Sequence, residues 1–143
     1  MKCKLHYLTV ATIPSTSAHA KYVDKICNSF SELIETTVIS ARGSNSIHKN
    51  KFKLSAFPIP FKSSFKYRSY LVAIWHSAYL LIQVLKGRAK SDIFIVHNPL
   101  SALFCGILSC PYVIDLHAMG FGSGFSRRFL KQWPPIHWIV MSK

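Results

Sequence analysis

Hydrophobic residues follow two different periods along this chain. Short runs of β-branched and aromatic residues, typical of buried strands, alternate with segments in which apolar residues recur every three or four positions, typical of one face of a helix. The predicted strands are Lys4 to Ala11, Thr36 to Ala41, Phe52 to Phe57, Asp92 to Val96, Pro111 to Leu116 and Trp138 to Met141. The predicted helices are Ala18 to Ile34, Phe65 to Lys86, Pro99 to Ser109 and Ser123 to Gln132.

This alternation of strand and helix predicts the fold class. It favours an α/β fold, Rossmann-like and doubly wound, in which a mostly parallel sheet carries helices on both faces. A chain of 143 residues, half of them hydrophobic, is long enough to bury the core of one domain. We therefore expect residues 1–143 to form a single Rossmann-like domain.

The net charge of the chain is +13, from 18 Lys and Arg against five Asp and Glu. Nucleic acid, acidic lipid and phosphorylated small molecules would all suit such a charge, so it predicts an anionic partner without identifying it. Most of the basic residues fall in predicted connections or at helix ends, in Lys2 to Lys4, Arg42 to Lys53, Lys62 to Arg68, Lys86 to Lys90 and Arg127 to Lys131.

The cysteines and the apolar runs suggest where the protein resides. The four cysteines form neither a CxxC pair nor a His-containing ladder, which favours reduced core thiols over a zinc site. The longest uncharged run, Ile93 to Ile114, is interrupted by Pro99 and Pro111, which argues against a membrane span. The basic and then apolar N-terminus could be a signal peptide, but its polar residues suit a first strand better. We expect a cytoplasmic protein, with peripheral attachment at the inner face of the membrane as a further expectation.

Ligands of an open doubly wound sheet bind outside the carboxyl ends of its strands. Here the corresponding segments are Thr12 to His19, His97 to Pro99 and His117 to Gly124. His117 is the first candidate, because it follows a buried strand and precedes a glycine-rich loop. Asp115 either orients His117 or accepts a hydrogen bond from a backbone donor. The alternative for His117 itself is a histidine at the edge of the sheet that has no function.

Ser15 and Thr16 precede the first predicted helix. The free N–H groups and the dipole of a helix N-terminus attract phosphate, so these hydroxyls are candidates for an anion site, with plain N-capping as the alternative. The loop has neither the GxGxxG pattern of a dinucleotide cradle nor the GxxxxGK[ST] pattern of a P-loop.

Four short motifs, taken in order and spacing, carry a resemblance to a known family. They are Ile13-Pro14-Ser15, the run from Asp92 to Pro99, the run from Pro111 to His117 and the terminal run from Ile139 to Ser142. Together they resemble the N-terminal half of a retaining glycosyltransferase of family 4, with the GT-B fold. The resemblance implies two Rossmann-like domains facing a cleft, of which the N-terminal one mainly engages the acceptor and the C-terminal one holds the nucleotide-sugar.

The resemblance also implies roles for individual residues. His117 matches the family histidine near the transferred sugar and its phosphate, and is the catalytic candidate. Ser15 and Thr16 match the loop that approaches the donor diphosphate, although this loop lacks the paired glycines of many members. Asn98 and Gly120, in the matching segments, are further candidates for contact with the nucleotide-sugar. No DxD motif is present, so we expect no metal and no cofactor besides the nucleotide-sugar co-substrate.

The second domain that the family requires, with its E-x7-E motif, is not encoded in these 143 residues. We therefore expect this chain alone to be inactive, whether it is a fragment, a split-gene product or one half of a two-chain enzyme. The completed enzyme would transfer a sugar to a glycan or a lipid-linked acceptor, in cell-surface polysaccharide or glycolipid synthesis.

The charge then suggests a partner, since a basic and aromatic face could rest on an anionic membrane surface. This face comprises Lys62, Phe65, Lys66, Tyr67, Arg68 and Tyr70, with Arg127, Arg128 and Lys131 as further candidates. A solvated basic face is the alternative. Two other functions stay open: a nucleic-acid-binding module, suggested by the charge, and a stand-alone flavodoxin-like protein that binds a nucleotide or a partner.

Overall fold

The computed structural model describes residues 3–9, 11–13, 15–40, 51–56, 68–87, 91–97, 99–116 and 137–140. Three of the predicted site residues, His117, Asn98 and Gly120, lie outside these described residues, as does the predicted helix from Ser123 to Gln132. The basic and aromatic residues from Lys62 to Tyr67 also lie outside them.

Within the described residues, six strands and three helices follow the predicted alternation. The strands are β1 Lys4–Leu8, β2 Glu35–Ser40, β3 Lys53–Ala56, β4 Ile93–Val96, β5 Tyr112–Leu116 and β6 His137–Val140. The helices are α1 Ala18–Ser31, α2 Arg68–Leu85 and α3 Pro99–Ile107. Among these helices, none is both long and apolar enough to cross a membrane.

The six strands form one sheet in which every pair of neighbours is parallel, in the order β3-β2-β1-β4-β5-β6. This is the strand order of the Rossmann fold, and the predicted fold class is confirmed. In this order the chain moves outward from β1 through β2 to β3, and then returns across the sheet to β4. The boundary between β1 and β4 is therefore the topological switch point, where Leu8 lies beside Val96.

Alternation along the strands divides the core between the two faces of the sheet. Leu5 and Tyr7 of β1 pack with Val23 and Cys27 of α1 on one face. On the other face Leu8 belongs to a second apolar cluster, which α2 and α3 cover with Leu80, Ala102 and Cys105. Helices therefore cover both faces, as a doubly wound sheet requires.

Individual residues determine where helices and strands begin or end. Ser17 caps α1, because its hydroxyl accepts a hydrogen bond from the N–H of Ala20 at 3.2 Å. Beyond α2, Gly87 adopts a positive φ of 67°, the left-handed conformation that glycine takes most readily after a helix. The first strand ends at Leu8, three residues before the predicted end, because the Thr9 hydroxyl accepts from the N–H of Ala11 and turns the chain out of the sheet.

All four cysteines lie in the described residues and all are free thiols, as predicted. Burial is the main cause of the raised pKa of Cys27, and the carboxylates of Asp24 and Asp115 raise it further. Burial also raises the pKa of Cys105. Both thiols are therefore neutral and inert, and they act as small apolar side chains in the core.

Candidate ligand site at the carboxyl edge of the sheet

Three polar residues meet at the carboxyl edge of the sheet, at the switch point between β1 and β4. Thr9 directly follows β1, His97 directly follows β4, and His19 lies in the first turn of α1. The parallel pairing of β1 with β4 brings the ends of both strands to the same edge, and α1 begins above it. Residues 88 positions apart in the sequence thus become neighbours because of the fold.

The Thr9 hydroxyl links β1 to α1. Its oxygen accepts from the N–H of Ala11 at 3.1 Å and lies 3.1 Å from Nε2 of His19. The hydroxyl has one proton to donate, and Nε2 of a neutral imidazole that carries its proton on Nδ1 can accept it. Thr9 thereby orients the His19 ring at the start of α1.

His97 is held from the other side of the switch point. Its Nδ1 lies 2.8 Å from the carbonyl oxygen of Leu8, so that nitrogen carries the proton and donates it to the end of β1. The rings of His97 and His19 meet edge to face, with centroids 5.8 Å apart and planes at 60°. Two imidazoles with fixed orientations therefore stand side by side, and imidazole is a group that hydrogen-bonds sugar hydroxyls and phosphate oxygens.

The predicted site residues Ser15 and Thr16 lie in the loop that leads into α1, and both are exposed. The Ser15 hydroxyl accepts from the N–H of Ser17 at 3.2 Å, and Ser17 in turn caps the helix. The capping expected as the alternative thus belongs to Ser17, while Ser15 supports the turn before it. Thr16 stands in the same loop, next to the first turn of α1, where the N–H groups of Ala20 and Lys21 donate to Ser17.

A buried carboxylate lies under α1. Asp115 of β5 is fully buried and accepts a hydrogen bond from the hydroxyl of Tyr7 in β1, across the intervening strand β4. Burial raises the pKa of Tyr7 and the charge of Asp115 raises it further, so the phenol keeps its proton and donates it to the carboxylate. Asp115 was expected to orient His117 or to meet a backbone donor. The hydroxyl of Tyr7 is a side-chain donor to Asp115, and the expected relation of Asp115 to His117 lies outside the described residues.

His76 of α2 is a second buried polar group and faces the sheet on the side of α2 and α3. It is fully buried, and neither ring nitrogen has a hydrogen-bond partner in the described part of the chain. Burial lowers the pKa of His76 to about 3, and the nearby charge of His97 contributes to this shift. The ring is therefore neutral at physiological pH.

The structure thus brings together some of the predicted residues and adds others. Ser15 and Thr16 lie at the predicted edge, while the principal polar contacts come from Thr9, His19 and His97. In the sequence, Thr9, His19 and His97 could be found only from their positions, because each follows a strand or lies in the first turn of a helix at the carboxyl edge. The described residues contain no group of three or more His, Cys, Asp or Glu side chains suited to a metal ion.

Neither the models of known protein families nor the sequences of curated proteins give a significant match to this chain.

Proposed function

We propose that this chain is the acceptor-side, Rossmann-like half of a retaining glycosyltransferase of the GT-B type. Its ligand would lie at the switch point between β1 and β4. The observation that carries the proposal is the meeting of Thr9, His19 and His97 at that point, beside the exposed hydroxyls of the loop before α1. Hydroxyls and imidazoles at a switch point suit a ligand rich in hydroxyl and phosphate oxygens.

The sheet order favours this proposal over the flavodoxin-like alternative. The order β3-β2-β1-β4-β5-β6 has two strands beyond β1 on one side, whereas a flavodoxin-like sheet has the order 2-1-3-4-5. The motif resemblance at residues 13–15 and 92–99 points to the same half of a sugar-transferring enzyme. The reaction would be attack of an acceptor hydroxyl on the anomeric carbon as the nucleotide diphosphate leaves, with this half positioning the acceptor.

Histidine resonances provide a direct test with the full chain. The chain, labelled at its imidazole rings, would be titrated with UDP-glucose and, separately, with N-acetylglucosamine linked through diphosphate to a farnesyl chain, each up to about 10 mM. We expect the signals of His19 and His97 to shift, most strongly with the lipid-linked sugar. The shift of His19 should disappear in His97→Asn and persist in Lys25→Ala, a control in the exposed part of α1.

The absence of any shift with both probes would overturn the proposal. So would a His19 shift that is unchanged in His97→Asn, because the ligand would then bind away from the switch point.

A membrane-bound acceptor is the second part of the proposal, and the surface of α2 supports it. Large apolar side chains on this helix are between 40% and 77% exposed. They are Ile74, Trp75, Leu81, Ile82 and Leu85. Ile74, Leu81 and Leu85 recur at helical spacing and form one outer stripe. An exposed apolar stripe on a strongly basic protein suits an anionic lipid surface.

Vesicle sedimentation tests this part. Binding to vesicles containing phosphatidylglycerol should exceed binding to pure phosphatidylcholine, and the double change Leu81→Gln, Leu85→Gln should weaken it about tenfold. Leu33→Gln is the matched control, because Leu33 is also exposed but follows α1 on the other face of the sheet. If the α2 and Leu33 variants weaken binding equally, or if neither does, α2 is not the membrane-facing surface.

A further inference from the structure

A second candidate site lies at the amino edge of the sheet, opposite the edge that carries Thr9, His19 and His97. A cavity of about 570 Å³ opens there between the starts of β1, β2 and β3 and the C-terminal half of α2. It is lined by Lys4, His6, Glu35, Thr37, Lys53, Ser55, Tyr79, Gln83, Ser91 and Asp92. Its volume lies in the range of small-molecule sites in proteins.

The strand period explains why this patch is polar. Residues two apart on a strand point to the same face, so Lys4 and His6, Glu35 and Thr37, and Lys53 and Ser55 stand together on three neighbouring strands. Tyr79 and Gln83, one helical turn apart on α2, lie over them. The face of a parallel sheet under a helix is ordinarily apolar, so six polar positions in one patch are a departure that the fold alone does not require.

Hydrogen bonds and a ring contact hold the floor of the cavity together. His6 and Asp92 are 5% and 4% exposed, and Nε2 of His6 lies 2.9 Å from Oδ2 of Asp92. Oδ1 of Asp92 accepts from the backbone N–H of Lys4 at 3.2 Å. On the other side of the ring, the Tyr79 hydroxyl lies 3.2 Å from Nδ1 of His6, and the ring stacks on Phe94 at 5.0 Å. Both ring nitrogens are therefore engaged, and the floor is organised before any ligand enters.

The walls carry hydrogen-bonding groups that make no hydrogen bond within the described part of the chain. Among the described residues, the side chains of Thr37, Ser55, Gln83 and Ser91 make no hydrogen bond to another residue. Hydroxyl and amide groups that converge on one space without protein partners are suited to the hydroxyls of a ligand.

The mouth is cationic. Lys4 forms an ion pair with Glu35 at 2.8 Å, and this hydrogen bond lowers the pKa of the Glu35 carboxyl. Lys53 also contributes to that lowering from nearby, but it forms no ion pair with any residue that the structure describes. At the opening two ammonium groups face the single carboxylate of Glu35, while the other carboxylate of the lining, that of Asp92, lies in the floor beside His6.

We propose that this cavity binds a monosaccharide monophosphate or a phosphorylated polyol of similar size. The phosphate would lie at the mouth between Lys53 and Lys4, and the hydroxyls would bind Thr37, Ser55 and Gln83 on the walls. Tyr79, held by His6, would bind the deepest hydroxyl. This site lies at the opposite edge of the sheet from Thr9, His19 and His97, so it goes beyond the proposed function and is tested separately from it.

Titration of the full chain with glucose 6-phosphate, fructose 6-phosphate and myo-inositol 1-phosphate, each up to about 10 mM, tests the proposal. At least one of them should shift the resonances of His6 and Tyr79 and leave those of His19 and His97 in place. Glucose has only the hydroxyls and inorganic phosphate only the phosphate group, so each should bind at least about tenfold more weakly than the best sugar phosphate.

Variants at the mouth and wall locate the site without disturbing its buried floor. Lys53→Gln should weaken the best ligand about tenfold, because it removes a charged hydrogen bond to phosphate, and Ser55→Ala should weaken it less. Lys51→Gln is the matched control, since Lys51 is an exposed lysine two residues away that pairs with Glu32 outside the cavity. Three results would overturn the proposal: no shift with any sugar phosphate, equal losses in Lys53→Gln and Lys51→Gln, or inorganic phosphate binding as tightly as the sugar phosphates.

Discussion

His76 is a fully buried histidine whose ring lacks a hydrogen-bond partner in the described residues, and this makes stability depend on pH in a defined direction. Burial lowers its pKa from 6.5 to about 3 in the folded protein, with His97 adding to the shift. In the unfolded chain the ring regains its ordinary pKa. Below pH 6.5, His76 is therefore protonated in the unfolded state but stays neutral in the folded state. The free energy of unfolding falls as the pH falls toward 3.

The size of the effect follows from the same two pKa values. One pKa unit corresponds to about 1.4 kcal/mol, so lowering the pH from about 7.5 to about 5 should cost about 2 kcal/mol through His76 alone. Other groups titrate in this range as well. The variant His76→Met removes this one titration and keeps an apolar side chain of similar size, so the wild type minus variant difference isolates the contribution.

Urea denaturation at a series of pH values is the assay. The free energy of unfolding of the wild type should fall relative to that of His76→Met by about 2 kcal/mol between about pH 7.5 and about pH 5. Leu80→Met, at another fully buried position of α2, is the matched control, and its difference from wild type should not depend on pH. Parallel curves for the wild type and His76→Met would refute the reasoning, as would a His76 resonance that titrates near pH 6.5 in the folded protein.

Three further substitutions have expected costs in unfolding free energy, each measurable by chemical denaturation. Tyr7→Phe should cost about 2 kcal/mol, since the buried Asp115 carboxylate loses a hydroxyl donor, and a change below about 0.5 kcal/mol would mean that the hydrogen bond contributes little. Gly87→Ala should cost about 1 kcal/mol because of the positive φ, even though the added Cβ would meet no described atom within 4 Å apart from Gly87 and its two chain neighbours. A neutral result would argue against the left-handed turn. Ser17→Ala should cost about 1 kcal/mol through loss of the α1 cap. Ser17→Asp should keep the stability of the wild type, because aspartate also caps a helix, and a loss equal to that of Ser17→Ala would argue against capping as the cause.

The sheet could be predicted from the sequence because its signals are local. Continuous apolar strands such as Ile93–Val96, alternating with helical periods, require a parallel sheet covered on both faces, and that is the fold observed. The residual errors lie at element ends. Strand β1 stops at Leu8 because of a side-chain to backbone hydrogen bond from Ala11 to Thr9, and the pattern of apolar residues does not register such a bond.

The candidate sites were predictable only in part, because they depend on which strands become neighbours. The rule for carboxyl ends located the loops of Ser15 and His97, but the contact of His97 with the end of β1 at Leu8 needs the actual strand order. The amino-edge cavity was missed altogether. Its pair of His6 and Asp92 is separated by 86 positions, and each residue taken alone is a polar residue at the start of a strand. Only the pairing of β1 with β4 turns the two into one buried unit.

The partners of four of the five side-chain carboxylates bear on what the excess of positive charge can do. Asp92 and Asp115 are buried and held by His6 and Tyr7, so they do not offset the surface charge of the lysines and arginines through ion pairs with them. The two exposed glutamates are each committed to one lysine, and Glu32 has its pKa lowered by its hydrogen bond to Lys51.

Among the described lysines, Lys21, Lys25, Lys53 and Lys86 form no ion pair with another described residue. Salt dependence can identify which surface a partner of this strongly basic chain uses. Coulombic attraction to exposed ammonium and guanidinium groups is screened within about 8 Å at physiological ionic strength, whereas burial of the apolar stripe of α2 is not weakened by salt. Vesicle binding that falls steeply between low and physiological salt would place the charge in the interface. Binding that is insensitive to salt but lost in the Leu81→Gln, Leu85→Gln variant would assign it to α2 alone, and the basic residues would then need a different anionic partner.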